Sequence, residues 1–349
     1  MKLKNKKIGS FSDIHLGLGQ DSEMWHEVSL NFAKWASQKF LEEGIDDIFI
    51  PGDIFHNRNE ISVETLSIAK QFFDYFKDFN IIISTGNHDS FLKNDSNINS
   101  ISIFDGWKNI KIVDKTPLIL ETDFNKKITF VPWGYDIEKL EKVDIIFGHF
   151  EIVSFYMNNY KQCDHGLSYS NLFNKAKLIV SGHFHKRDHR TYKEGDIVYL
   201  GSPYQQNFGA VAEDKGIYIF DLEKHSFSFI ENTLSPKHYK ISAKKLINDE
   251  YEVEELKKII HNNIVALVVD LKIEHDIILG LNTKINNMNP LVYRLEYLEN
   301  EEDIQKISNE ENFNSGDLLK DIEEYINTLD IDHKKEVVEY LKEMYNSLV

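Results

Sequence analysis

Apolar and polar positions alternate along this chain in two different registers. Short runs rich in β-branched and aromatic residues stand at 7–11, 47–51, 81–85, 128–133, 144–148, 178–182 and 197–200, and each predicts a strand. Between the early runs, apolar residues recur at helical spacing, which predicts helices over 23–43 and 62–77 and a third near 97–107. Strand-like runs return at 216–221 and 225–230, and these read as a hairpin turning through 222–224. Strands that alternate with helices and then give way to a β-rich stretch predict an α/β fold.

The pattern changes character past residue 234. Ser235-Pro236 marks a boundary, and beyond it a helix over 251–261 and an apolar strand over 264–271 belong to a smaller unit. Residues 299–315 are rich in Glu and Asn and poor in large apolar side chains, so they read as a linker. Two helical stripes close the chain, with Asp317 and Asp332 where N-caps belong. The expected division is 1–235, 236–298, a linker over 299–315, and a helix pair over 316–349.

Charge and composition bear on the possible partners. The net charge of −17 over 349 residues argues against broad, nonspecific binding to nucleic acid. Its distribution softens that argument, because residues 301–349 hold 14 acidic and 5 basic side chains, over half of the imbalance. Cys163 is the single cysteine, so no internal disulfide forms, which fits a reducing cytosol. The lysines at the start precede no apolar signal segment, and no run is long enough to span a membrane.

The chemistry concentrates where predicted strands end. Five motifs lie there: Ser12-Asp13-Ile14-His15, Gly52-Asp53, Gly86-Asn87-His88-Asp89, Gly148-His149 and Gly182-His183-Phe184-His185. The carboxyl ends of strands form the binding edge of an α/β sheet, so loops there bring distant residues together. A lone Gly-Asp or Gly-His carries no meaning, and Asn87 alone could serve a turn. All five in this order, each after an apolar run, point to a metal centre. Two carboxylates, one amide oxygen and four imidazoles suit manganese, iron or zinc. Seven donors exceed what one such ion takes, whereas two ions about 3.5–4 Å apart that share a carboxylate fit the count and suit phosphate esters.

In this order the motifs resemble those of the calcineurin-type metallophosphoesterase superfamily, over residues 11–185. That resemblance implies a four-layer α/β/β/α sandwich. It also implies that Asp13, His15, Asp53 and His185 hold one metal and that Asp53, Asn87, His149 and His183 hold the other, with Asp53 bridging. His88 matches the histidine that stands beside the scissile phosphate, a catalytic position. Gly52-Asp53-Ile54-Phe55-His56-Asn57-Arg58, Tyr199-Leu200-Gly201-Ser202-Pro203 and Lys215-Gly216-Ile217-Tyr218 are similar to the SbcD-type nucleases. Gly148-His149-Phe150-Glu151 and His165-Gly166-Leu167 look most like the T-even phage branch of that family. This implies a DNA nuclease subunit with two divalent ions, manganese first among them. It further implies a homodimer, a small α+β capping domain, and a C-terminal helix pair that grips the coiled coil of an SbcC-like ATPase.

Several readings stay open on the sequence alone. His56 is either a surface or capping histidine or a substrate-side catalytic group, the second being what the resemblance implies. Lys186, Arg187 and Arg190 either contact phosphates or are solvated. Leu66, Phe72, Phe73, Tyr75, Phe76 and Phe79 either pack in the core or form a dimer face. A small-molecule phosphodiesterase or phosphoprotein phosphatase on the same core is the alternative activity, and an inactive scaffold is the third reading.

Overall fold

In the computed structural model, residues 2–92, 95–271 and 273–298 are described, together with 334, 335 and 337–339. The expected linker and C-terminal helix pair lie almost wholly outside the described residues.

Two sheets face each other. The first has six strands in the order Ser226–Glu231, Gly216–Asp221, Lys7–Ser10, Asp47–Pro51, Asn80–Ser84 and Ile110–Val113. The second has seven, in the order Lys2–Leu3, Leu118–Thr122, Lys127–Phe130, Ile145–His149, Leu178–Gly182, Asp196–Tyr199 and Asp188–Thr191. Central strands of both sheets run parallel and are buried on both faces, so their sequences are continuous apolar runs and not alternating ones. Along Asp47–Pro51, Phe49 points between the sheets and meets Phe130 and Phe147 edge to face, with ring centroids 4.4 and 5.2 Å apart. Ile48 and Ile50 point the other way, into the core beneath the helices.

Two helices cover the six-stranded sheet. Glu23–Glu42 buries Phe32, Ala33, Ala36 and Phe40 at helical spacing and stops at Gly44, which adopts the left-handed φ of 67°. Val63–Asp74 starts where the Ser62 side chain accepts the N–H of Thr65 at 3.0 Å. Its aromatic stripe settles one open reading: Phe72, Phe73, Phe76 and Phe79 are all buried, and Leu66 and Tyr75 are the exposed members. The outer face of the seven-stranded sheet is covered more thinly, by the short helix Tyr169–Phe173 and by loops carrying Phe150, Ile152 and Phe155. Together these make the α/β/β/α sandwich.

The helix expected near 97–107 does not form. Asp95–Asn99 is a strand paired with Ser90–Leu92, and Ser100–Phe104 is a single 3₁₀ turn. Pairing to Ser90–Leu92 holds 95–99 extended, and Asn99 caps the turn that follows, its Oδ1 accepting from Ser102 N–H and its Nδ2 donating to Ser96 O.

Past residue 237, a parallel three-stranded sheet of His238–Ser242, Ile264–Val269 and Val292–Tyr297 has its own core with helices Ala243–Ile247, Val253–Ile260 and His275–Asn286. It meets the sandwich where His238 stacks on Trp25 at 6.2 Å and Arg294 lies 4.0 Å over Phe208. Among the described residues, no helix is long and apolar enough to cross a membrane.

Candidate metal centre

All five motifs lie at the carboxyl ends of central strands, along the edge where the two sheets meet. Beyond its strand, the Asp13–Leu16 loop continues to pair with Gly52–Ile54: Asp13 N–H donates to Gly52 O at 3.2 Å and Leu16 N–H to Ile54 O at 2.8 Å. Four of the seven expected ligands hold positive φ: Asp13 at 57°, His15 at 53°, Asp53 at 55° and His183 at 91°. Non-glycine residues adopt this region only when surrounding contacts enforce it, and such strain gathers at functional sites.

The approach is close enough to demand glycine. A Cβ on Gly86 would sit 2.1 Å from Asp53 Oδ1, and one on Gly52 would sit 2.6 Å from His149 Nδ1. Asp89 then binds the two loops. Its carboxylate, 1% exposed, accepts N–H groups from Gly86, Asp53, Ile54 and Phe55 at 2.8–3.2 Å.

The side chains converge in overlapping groups. Asp13, His15 and His185 bring donor atoms within 4.8 Å of one another, and so do Asp53, His149 and His183. Asp53 Oδ2 stands between the groups, 3.3 Å from His149 Nε2 and 3.6 Å from His15 Nε2. Asn87 Oδ1 completes the second group, 3.0 Å from His149 Nε2 and 2.8 Å from His183 Nδ1. His15 Nε2 and His185 Nε2 face each other at 3.0 Å.

Burial and the two carboxylates set the protonation states of the centre. Burial, with the neighbouring His185, holds His15 well below its ordinary value; burial and then Lys215 take His185 to about 3. Both rings are therefore neutral, with lone pairs available. Burial opposes ionisation of Asp53, but His149, which pairs with it, outweighs burial and holds the carboxylate charged. Burial pushes Asp13 up to about 7, with Asp53 adding to the shift. His149 donates its Nδ1 proton to Pro51 O at 2.8 Å and turns Nε2 to the centre; burial works to lower its pKa, but Asp53 outweighs burial and raises it to about 9, so a cation at Nε2 would displace a proton. Two carboxylates, one amide oxygen and four imidazoles, four of the seven buried and three half-buried, form clusters that could hold divalent transition ions.

His88 is placed differently from the seven. Its backbone N–H donates to Asp53 Oδ1 at 2.9 Å and its Nδ1 donates to His56 O at 2.6 Å, so Nε2 is the nitrogen left for a substrate. The structure brings His56 into the same group: its ring stacks on His88 at 5.7 Å, and its Nδ1 is 3.4 Å from His15 Nδ1. The three cations after His185 separate. Arg190 is engaged by Asp188 and lies 3.9 Å over Phe155, and Arg187 lies 3.7 Å over Phe229. Lys186 lies 4.9 Å over Tyr156 and lines a cavity of about 240 Å³ that opens beside His183 and His185. His165 pairs with Asp164 at 2.8 Å and His189 with Asp196 at 2.9 Å.

Two residues of the centre escaped the sequence reading. Asp89 stood inside a motif but was given no role. Lys215, buried, donates to the carbonyl of His185 at 2.5 Å and pairs with Glu213 at 2.5 Å. Its place in the Lys-Gly-Ile-Tyr motif was the only signal.

Comparison with known proteins identifies the family. The family model of the calcineurin-like phosphoesterases matches residues 6–187. The chain is 28% identical over 304 residues to exonuclease subunit 1 of Enterobacteria phage T4, covering 77% of this chain and 86% of that protein. Among solved structures it is similar to a dimetal phosphatase from Danio rerio (12% identity, 64% of this chain and 95% of that one, TM-score 0.41). It is also similar to an archaeal phosphodiesterase (16% identity, 65% and 99%, TM-score 0.36).

Proposed function

The chain belongs to the calcineurin-like phosphoesterases, and from that premise we propose that it is the nuclease subunit of a two-component DNA-processing complex. The observation that carries the reading is the convergence of Asp13, His15, Asp53, Asn87, His149, His183 and His185 on two points that share Asp53, with His88 beside them. Two manganese ions held there would supply hydroxide near neutral pH and charge stabilisation for an in-line displacement at phosphorus. The chain's own residues do the rest. Asp13, His15 and His185 would hold one ion, Asn87, His149 and His183 would hold the other, and Asp53 would serve both. His88, whose Nδ1 proton is fixed on His56 O, presents Nε2 to the phosphate or the leaving oxygen as a proton donor once protonated. His56 stands on the substrate side and orients His88 through its carbonyl.

DNA as the substrate is supported by the likeness to the phage exonuclease subunit over most of both chains. The word subunit in that relative's name supports a partner, and we assign to residues 316–349 the docking of an SbcC-like coiled-coil ATPase, with 236–298 as a capping domain. A chain ended after residue 300 should keep its ions and basal activity and lose the ATPase, read by co-elution; co-elution at full affinity would assign docking elsewhere. Homodimerisation would use the exposed Val63, Leu66 and Tyr75 of the helix at 63–74 and the turn that follows it. A monomer at micromolar concentration, unaffected by changes at these positions, would remove that part.

The net charge of −17 favours a second reading, a small-molecule phosphodiesterase or phosphatase on the same centre. One experiment separates them: linear duplex DNA, single-stranded DNA and a generic phosphodiester are incubated with manganese and with EDTA. Manganese-dependent DNA cleavage abolished by EDTA is expected. Turnover of the generic ester with intact DNA would decide for the second reading.

A further inference from the structure

We infer that Glu151 is a positioning residue that fixes the ring of His183 for the metal; the inference rests on the two-metal reading above. The two histidines of the Asn87 site use opposite nitrogens. His149 turns Nε2 to the site and anchors its Nδ1 proton on Pro51 O, a backbone acceptor that no substitution can remove. His183 turns Nδ1 to the site, 2.8 Å from Asn87 Oδ1, so a metal held there would take the Nδ1 lone pair and leave the ring proton on Nε2. That nitrogen lies 3.3 Å from Glu151 Oε1. A ring with a lone pair at one nitrogen and a buried N–H at the other needs an acceptor at the second position, or both its tautomer and its rotation are free.

The surrounding loop is built to hold that carboxylate in place. Strand Ile145–His149 ends next to it, and Phe150 N–H is tied to Ser181 Oγ at 3.0 Å. The chain then runs outward and returns, so that Leu167 N–H donates to Glu151 O at 2.8 Å and Val153 N–H to Leu167 O at 3.0 Å. Gly166, at φ +96°, permits the closure, because a Cβ there would lie 2.5 Å from Glu151 O. His165, carried on the returning limb, brings its Nε2 within 3.6 Å of the same Oε1 from the solvent side. The carboxylate thus joins an outer histidine to an inner ligand, and the bonds that set its backbone do not depend on its side chain.

The test uses the full chain. Manganese is titrated and free Mn²⁺ is followed by electron paramagnetic resonance, on wild type, Glu151→Ala and Glu151→Gln. The His183 tautomer is read in the metal-free proteins by long-range ¹⁵N–¹H correlation. Wild type should bind two ions, and its His183 should be the Nε2–H form. In Glu151→Ala one site should be unchanged and the other weakened about 10–100-fold, with the tautomer mixed. Glu151→Gln, whose amide oxygen still accepts from Nε2–H, should restore both readouts. Unchanged affinity at both sites in Glu151→Ala would overturn the inference. So would a Glu151→Gln protein as weak as Glu151→Ala, because the carboxylate would then act by charge alone. Fewer than two ions on the wild type would instead refute the two-metal reading, while the tautomer comparison would still report on Glu151 itself.

Discussion

Replacing Asp89 removes one carboxylate and orphans four backbone donors at once. Its Oδ2 accepts from Gly86 N–H at 2.9 Å and Asp53 N–H at 2.8 Å, and its Oδ1 from Ile54 N–H at 3.0 Å and Phe55 N–H at 3.2 Å. Asp53, Ile54, Phe55 and Asp89 are all at most 1% exposed, so water does not replace the lost acceptor without rearrangement. A buried N–H left without a partner costs roughly 1–3 kcal/mol. Four of them put Asp89→Ala at about 4 kcal/mol or more, a large part of the ~5–15 kcal/mol that holds a domain folded. Asp89→Asn is the sharper variant, because it keeps the shape and exchanges one oxygen for an NH₂. Two acceptances then become donor–donor contacts, and a loss of about 2 kcal/mol or more is expected. The clamped loops carry Asp53 and Asn87, so manganese affinity should fall together with stability although Asp89 touches no ion. Urea unfolding followed by circular dichroism gives the first quantity and manganese titration the second. An Asp89→Asn protein with wild-type midpoint and wild-type affinity would refute the clamp.

Three further outcomes are expected. Asp53→Ala should lose both ions and all turnover, because the shared carboxylate serves both groups; an active preparation holding one ion or none by metal analysis would end the two-metal scheme. His88→Ala should keep its ions and its fold and lose about 10²-fold or more in turnover, the scale of general acid catalysis; loss of metal instead would make His88 a ligand or a support for one. Burial, and then Arg294, takes His238 from its ordinary 6.5 to about 4. The folded chain keeps it neutral where the unfolded chain takes a proton, so its contribution is complete above pH ~6.5 and is lost as the pH falls towards ~4, by at most about 3 kcal/mol. His238→Phe should flatten the urea midpoint over that window, and an unaltered slope would mean that other groups govern it.

The sequence by itself determined the central strands and the ends at which the chemistry sits. A strand buried on both faces must be a continuous apolar run, so 47–51 and 178–182 were legible to the residue. The five motifs were legible because each is a short polar break at the end of such a run. Elements stabilised mainly by their neighbours were not. Asp188–Thr191 is polar, and its strand conformation comes from antiparallel pairing with Asp196–Tyr199. The stretch at 97–107 has apolar residues at helical spacing, yet pairing to Ser90–Leu92 holds its first residues extended. Periodicity likewise could not say which aromatics of the 62–77 stretch face inward, because that depends on the sheet beneath them; Phe72 and Phe76 meet Phe11 from that sheet's edge. The parts of the centre that only the tertiary structure decided are the ones that work across loops. Asp89 binds a loop 36 residues away in sequence, Lys215 reaches the carbonyl of His185, and Glu151 meets a ring 32 residues further on. Sequence spacing carries no trace of such meetings, because they are set by the order in which strands join the two sheets.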